Sequence, residues 1–297
     1  MPTPPETAER GRRLALLVAN SVYEDPGLRR LRAPATDAEA LAEVLADPTV
    51  GNCETRLVLD RPSYEVAEEV EAFCSDRRRD DLLVLYFSCH GVKDDDGALY
   101  LAAANTKLSR LKATGLPAAL VKELVEHTRS RRVVLLLDCC YSGAFGAFAP
   151  KGGGGVEVTE RLGGHGRAVI TASSGMEYSF EQSQLAMDAG VRSVFTDSMV
   201  RGLRTGAADT DGDGLVSVDE LYDWVYAEVR RVTPSQTPRM VSDLEGELYL
   251  ATSPLGRRPA GIAAEPETSP RQEPAGPQHA VRGPAATPPR AGRPWLR

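Results

Sequence analysis

Cysteine is scarce in this sequence: five in 297 residues, at Cys53, Cys74, Cys89, Cys139 and Cys140, an odd set with no CxxC spacing. A disulfide framework needs pairs and a zinc knuckle needs close-set ligands, so the set argues against both. Thiols left reduced point to a cytoplasmic setting. Positive charge is also short, with 35 Lys and Arg against 42 Asp and Glu, a net charge of −7. The chain as a whole therefore offers no footprint for nucleic acid, and the short runs Arg29-Arg30, Arg77 to Arg79 and Arg131-Arg132 read as solvated helix ends. Long apolar runs are missing too. No window approaches the roughly 18 consecutive apolar residues of a membrane span. The first 13 residues, rich in Pro, Glu and Arg, have no apolar stretch of the kind a secretory signal carries.

What is present is alternation. Apolar runs at Leu14–Ala19, Thr55–Leu59, Leu82–Ser88, Val133–Leu137 and Ala168–Thr171 are continuous rather than every-other-residue, which predicts strands buried on both faces of a mostly parallel sheet. Amphipathic stretches at Asp37–Ala46, Tyr64–Asp76, Pro117–Glu126, Ser193–Leu203 and Val218–Arg231 predict helices between them, and Glu247–Leu250 predicts a last strand closing the sheet. The pattern is α/β with crossover connections. Residues 145–166 are Gly-rich and read as a mobile loop. Ten of the 21 prolines fall after Ser253, in a segment poor in large apolar residues that predicts disorder. The expected organisation is an arm over 1–12, one folded domain over 13–252 and a Pro-rich tail over 253–297, whose partner no motif identifies.

Two strands run directly into polar, small-residue signatures. Leu82–Phe87 leads into Ser88-Cys89-His90-Gly91, and Val133–Leu137 leads into Asp138-Cys139-Cys140-Tyr141-Ser142-Gly143. The carboxyl ends of parallel strands line the ligand crevice of such sheets, so an imidazole and a thiol would meet there. A thiol needs that partner, because the thiolate is the nucleophile and the imidazole later protonates the leaving amine. Small neighbours (Gly91, Ser142, Gly143) let a substrate backbone approach and free N–H groups for an oxyanion hole.

The pair "YFSCHG" and "DCCYSG" resembles the caspase-like cysteine peptidases, in particular their bacterial and metacaspase-type members, over about residues 12–252. The 50 residues from His90 to Cys140 match the family spacing. The resemblance implies a three-layer sandwich around a mostly parallel six-stranded sheet. It implies Cys140 as nucleophile, His90 as base, and the N–H groups of Gly91 and Cys140 as oxyanion donors, with no third triad member evident. Tyr141 stands where metacaspases carry a histidine. The resemblance also implies a pocket for the residue before the scissile bond built from Asp37, Ser88 and Asp138. Two carboxylates there favour Arg or Lys in a protein or peptide substrate. Caspases proper use an arginine and cleave after Asp, and Arg32 keeps that alternative open, as does a plain helix N-cap role for Asp37. Cys139 and Cys89 read as small packed residues.

The segment from Asp209 to Glu220 fits an EF-hand loop, with ligands from Asp209, Asp211, Asp213, the Leu215 carbonyl, Ser217 and Glu220, and Gly214 at the turn. Calcium is the implied ion, although the chemistry itself requires no cofactor. The same residues also suit an acidic turn capping the helix that follows. Lys151 and Arg161, in the Gly-rich segment, are candidate self-cleavage points for an enzyme of basic specificity. Two other functions remain open: a catalytically silent homologue acting as an interaction module, and a calcium sensor.

Overall fold

A computed structural model describes residues 11–139, 166–172, 192–244 and 246–256. Its strands are β1 (Arg13–Ala19), β2 (Glu54–Leu59), β3 (Leu82–Cys89), β4 (Gly91–Lys93), β5 (Leu99–Leu101), β6 (Leu116–Pro117), β7 (Arg132–Cys139), β8 (Arg167–Thr171), β9 (Leu215–Ser217), β10 (Arg239–Asp243) and β11 (Tyr249–Thr252). The helices among the described residues are α1 (Pro34–Ala46), α2 (Ser63–Cys74), the short α3 (Leu111–Thr114), α4 (Ala118–His127), α5 (Val194–Thr205) and α6 (Val218–Val232).

The central sheet has six strands in the order β10-β8-β7-β3-β1-β2. All neighbours are parallel except β10, which runs antiparallel to β8. Every residue of β3 is buried, the signature of a strand covered on both faces. One face carries Leu17, Ala19, Val84, Tyr86, Val134 and Leu136 against Leu41 and Leu45 of α1, Phe195 and Met199 of α5 and Val225 of α6. The other carries Leu16, Leu85, Phe87, Leu135 and Leu137 against Val66 and Val70 of α2 and Val121 and Val125 of α4. The result is a three-layer sandwich, which the continuous apolar runs require because neither sheet face can be left in water.

This layering positions the crevice. From β1 the chain passes to α1 on one face, while α4, which leads into β7, covers the other. The carboxyl ends of the neighbouring strands β1 and β3 therefore open where connections diverge, the topological switch point of such sheets.

Three sequence expectations need correction. The strand expected at Glu247–Leu250 forms as β11, but it pairs with β9 in a separate two-stranded sheet. The sixth strand of the main sheet is β10, in whose Arg-Met-Val-Ser-Asp sequence Arg239, Val241 and Ser242 are exposed and only Met240 and Asp243 partly buried. An edge strand open to water needs no continuous apolar run, so it gave no signal. β2 is the opposite edge, with Glu54, Arg56 and Leu57 exposed rather than buried. Finally, α1 begins at Pro34, not Asp37. Pro34 takes the first helical position, where its missing N–H costs nothing, and Ala33 is the N-cap without a side-chain bond. Asp37 is thus not the N-cap.

Candidate functional site

β3 and β7 pair in parallel with Ser88 opposite Asp138 and Cys89 opposite Cys139. His90 and Cys140 are the residues that follow in the sequence. Cys140 lies outside the described residues, as do Tyr141, Ser142 and Gly143, so the positioned half of the candidate machinery is the His90 half.

His90 is clamped from three directions. Its Nε2 lies 2.8 Å from the carbonyl oxygen of Arg29. A carbonyl can only accept, so Nε2 carries the proton, and in the neutral ring Nδ1 holds the lone pair. The His90 backbone N–H donates to Tyr23 Oη at 3.2 Å, and that hydroxyl donates to the Asn20 carbonyl at 2.7 Å. The two rings sit 5.1 Å apart at 45°. Burial pulls the imidazole below its ordinary value, partly opposed by the Arg29 carbonyl. The ring is therefore a neutral base at neutral pH. The loop that supplies Tyr23 and Arg29 is itself pinned: the Ser21 and Val22 amides donate to Asp60 Oδ1, the Asn20 amide donates to the Ser88 carbonyl, and Leu28 is buried. The partner of the His90 ring nitrogen is a main-chain carbonyl, which no residue type announces in a sequence.

Gly91 opens β4 and is buried. The His90 carbonyl accepts from Ala102 N at 2.8 Å, which ties this turn to the end of β5.

The three residues expected to form the substrate pocket, Asp37, Ser88 and Asp138, converge on the α1–α5 face of the sheet. Asp37 is fully buried on α1, and its Oδ2 accepts from Ser193 N at 3.1 Å. Asp138 Oδ2 accepts from Thr196 Oγ1 at 2.8 Å, and the Thr196 hydroxyl in turn lies 2.9 Å from Tyr86 Oη. Ser88, 4% exposed, faces the same side two residues beyond Tyr86. Burial, and then the carboxylate of Asp138, push the Asp37 carboxyl up to about 8; the Ser193 amide and the charge of Arg192 oppose the shift. Burial likewise raises Asp138, against hydrogen bonds from Ser193 and Thr196. The site thus holds two carboxyl groups that cannot both ionise without cost. Arg32 is exposed on the loop before α1. The cation beside Asp37 is instead Arg192, which also pairs with Asp197 at 3.7 Å. Ser193, Thr196, Tyr86 and Arg192 gave no sequence signal, because α5 reaches the strand ends only through the tertiary fold.

Cys89 and Cys139 face the other way, into the α2–α4 core, each 4% exposed with their sulfurs 3.5 Å apart. The contact with Cys89 and burial hold the Cys139 thiol well above its ordinary range, so it stays protonated and unreactive.

In the Asp-rich loop, one carboxylate oxygen each of Asp209, Asp211 and Asp213 lie within 4.8 Å of one another. Each aspartate also accepts a loop amide, from Gly212, Asp213 and Leu215 respectively. Glu220 is engaged elsewhere: Oε1 accepts from Thr210 N and Asp211 N, and Oε2 accepts from Ser217 N and Oγ. Ser217 Oγ accepts from Glu220 N, completing a capping box at the start of α6. Leu215 is in β9, paired with Thr252. The fold gathers three of the six expected ligands and commits Ser217 and Glu220 to each other. Lys151 and Arg161 lie outside the described residues.

The model of the caspase domain family matches residues 12–249. No curated protein matches the chain. Among solved structures, a Geobacter sulfurreducens protein aligns with a TM-score of 0.55 and 17% identity, over 83% of this chain and 99% of its own. Caspase-1 from Spodoptera frugiperda aligns with a TM-score of 0.57 and 13% identity, over 85% of this chain and 93% of its own. At such identities the likeness is one of fold.

Proposed function

The chain belongs to the caspase-domain family of cysteine peptidases, and on that premise we propose that it is an endopeptidase that cleaves protein substrates after Arg or Lys. The observation that carries the proposal is the clamp on His90: Nε2 spent on the Arg29 carbonyl, Nδ1 left as the basic nitrogen, beside the strand that leads into Cys140. In this reading the Cys140 thiol gives its proton to Nδ1. The thiolate adds to the scissile carbonyl, whose oxygen takes hydrogen bonds from the Gly91 and Cys140 amides. His90 passes the proton to the leaving amine, the C–N bond breaks, and water activated by the same imidazole hydrolyses the thioester. Asp60, through the loop amides, and Tyr23 keep the ring in place between steps.

Basic specificity rests on the buried acids. A substrate guanidinium entering beside Asp37 and Asp138 lets both carboxylates ionise and converts their mutual repulsion into pairing. Initial rates on otherwise identical fluorogenic peptides ending in Arg, Lys, Asp or Leu, for the parent and for Cys140→Ala, test both halves. Turnover of the Arg and Lys peptides that vanishes in the variant is the expected outcome. Selective turnover of the Asp peptide would remove the specificity, and turnover surviving the substitution would remove the mechanism.

The three converging aspartates support a second feature, calcium held by Asp209, Asp211 and Asp213, with the Leu215 carbonyl, Ser217 and Glu220 completing the shell once the capping box opens. Calcium there would neutralise repelling carboxylates and stiffen the link between α5 and α6. A calcium titration followed by intrinsic fluorescence of Trp224, on α6, is the direct check. No response up to millimolar calcium would leave the loop as an acidic turn.

A further inference from the structure

We propose that the arginine-rimmed depression at the amino-terminal end of the central strands is a binding site for a compact polyphosphate anion. The depression is open to solvent, has a volume of about 640 Å3 and is lined by Asp76, Arg77, Arg78, Arg79, Arg129 and Arg131. Five arginines and one aspartate line it, in a chain whose net charge is −7. Sequence alone divides these cations into two short runs about 50 residues apart, each an ordinary helix end. The fold joins them.

The rim is built on a fixed scaffold. The turn between α2 and β3 supplies Arg77 to Arg79, and the turn between α4 and β7 supplies Arg129 and Arg131. The two turns are stitched together: Arg131 N donates to the Arg79 carbonyl at 3.0 Å, Ser130 Oγ to the Asp81 carbonyl at 2.7 Å, and Thr128 Oγ1 to the Cys74 carbonyl at 2.7 Å. The nearby acid Asp81 is 2% exposed and spends its oxygens on the amides of Arg12 and Arg78, so it is occupied inside the fold. Arg77 closes the end of α2 by donating to the Phe73 and Ala72 carbonyls while lying over the Phe73 ring.

The chemistry selects the ligand. All five cations are arginines, whose planar fork matches the paired oxygens of phosphate. The lining has no exposed aromatic ring to stack on a base and no amide side chain to read one, which disfavours a nucleotide or a nucleic acid strand. A bounded depression within the ligand-sized range of roughly 300–1,000 Å3 suits a compact anion. A long polyanion would meet the acidic remainder of the molecule. The site is also remote from His90: β3 spans eight residues between them, about 25 Å at roughly 3.3 Å per residue. A bound anion would not occupy the peptide crevice, and the inference does not depend on the peptidase reading.

Thermal unfolding and isothermal titration with sodium triphosphate, against sodium sulfate at matched ionic strength, test it on the full chain. Saturable binding with a rise in Tm is expected for triphosphate, at least tenfold tighter than for sulfate. The variant Arg79→Ser/Arg129→Ser/Arg131→Ser should lose at least tenfold in affinity, while Arg56→Ser/Arg61→Ser/Arg204→Ser, which removes equal charge elsewhere, should bind like the parent. If the first triple variant does not fold, single Arg129→Ser and Arg131→Ser substitutions at exposed turn positions carry the comparison. Equal responses to triphosphate and sulfate, or undiminished binding in the rim variants, would overturn the site. Sedimentation with phosphatidylglycerol vesicles without any triphosphate response would overturn it in favour of a lipid surface.

Discussion

Cys89 and Cys139 stand opposite each other on parallel strands with their sulfurs 3.5 Å apart in the core. They are the last paired residues of the two strands. In the sequence the residues that follow them are His90 and Cys140, the proposed base and nucleophile.

Thiol reactivity should divide accordingly. Cys53, Cys74, Cys89 and Cys139 are free and buried. Burial raises the thiol of Cys53 and lifts that of Cys74 to about 11, each partly opposed by a nearby arginine. In Cys140→Ala no thiol should react rapidly with an aromatic disulfide reagent under native conditions, and four should react in guanidinium. A fast native reaction in that variant would show that another cysteine is accessible.

The acid limb of kcat/KM should lie below the ordinary histidine value of about 6.5, because burial lowers the His90 imidazole. The sign for stability follows. The folded state holds His90 neutral while the unfolded chain takes up a proton, so stability falls as pH drops through the unfolded value. A pH–rate profile and the proton resonance of the His90 ring measure the same group independently.

Asp37 should work against stability at neutral pH. Its folded value, near 8, lies above the unfolded 3.8. Between these values the unfolded chain ionises while the folded one does not, so stability declines with rising pH by up to about 1.4 kcal/mol per unit. Asp37→Asn should remove that slope, leaving the variant more stable than the parent at pH 7. It should also lose about 100-fold in kcat/KM on an Arg peptide, as expected when one partner of a buried charge pair is removed. Urea melts at several pH values, with the peptide assay beside them, give both readings.

Calcium, if held by the aspartate cluster, should raise Tm by several degrees at about 100 times its Kd, a stabilisation of about 2.7 kcal/mol. Asp213→Asn should reduce the rise, and a chelator should reverse it in the parent.

The central strands should dominate stability and the edges should not. Leu85→Ala, at 0% exposure, should cost about 2–5 kcal/mol, whereas Leu57→Ala on β2, at 41% exposure, should cost less than about 0.5 kcal/mol. Chemical denaturation of both variants measures the contrast.

The contrast between these two leucines also explains what could be read in advance. β1, β3 and β7 were legible because a strand covered on both faces must be apolar throughout, and that requirement is written residue by residue. β10 was not legible, since one water-facing edge tolerates Arg239, Ser242 and Asp243. Likewise the 209–220 loop was found by its spacing, but the capping pair of Ser217 and Glu220 depends on backbone geometry that a ligand pattern does not encode.

Sequence by itself determined the α/β class, the family, and the residue types at the ends of β3 and β7, because burial and local motifs constrain neighbours along the chain. Only the tertiary structure decided that the Arg29 carbonyl holds His90, that Ser193 and Thr196 meet Asp37 and Asp138, and that two arginine runs share one depression. Those relationships join segments tens of residues apart. They are set by how helices pack across a sheet, a long-range outcome with no local pattern to announce it.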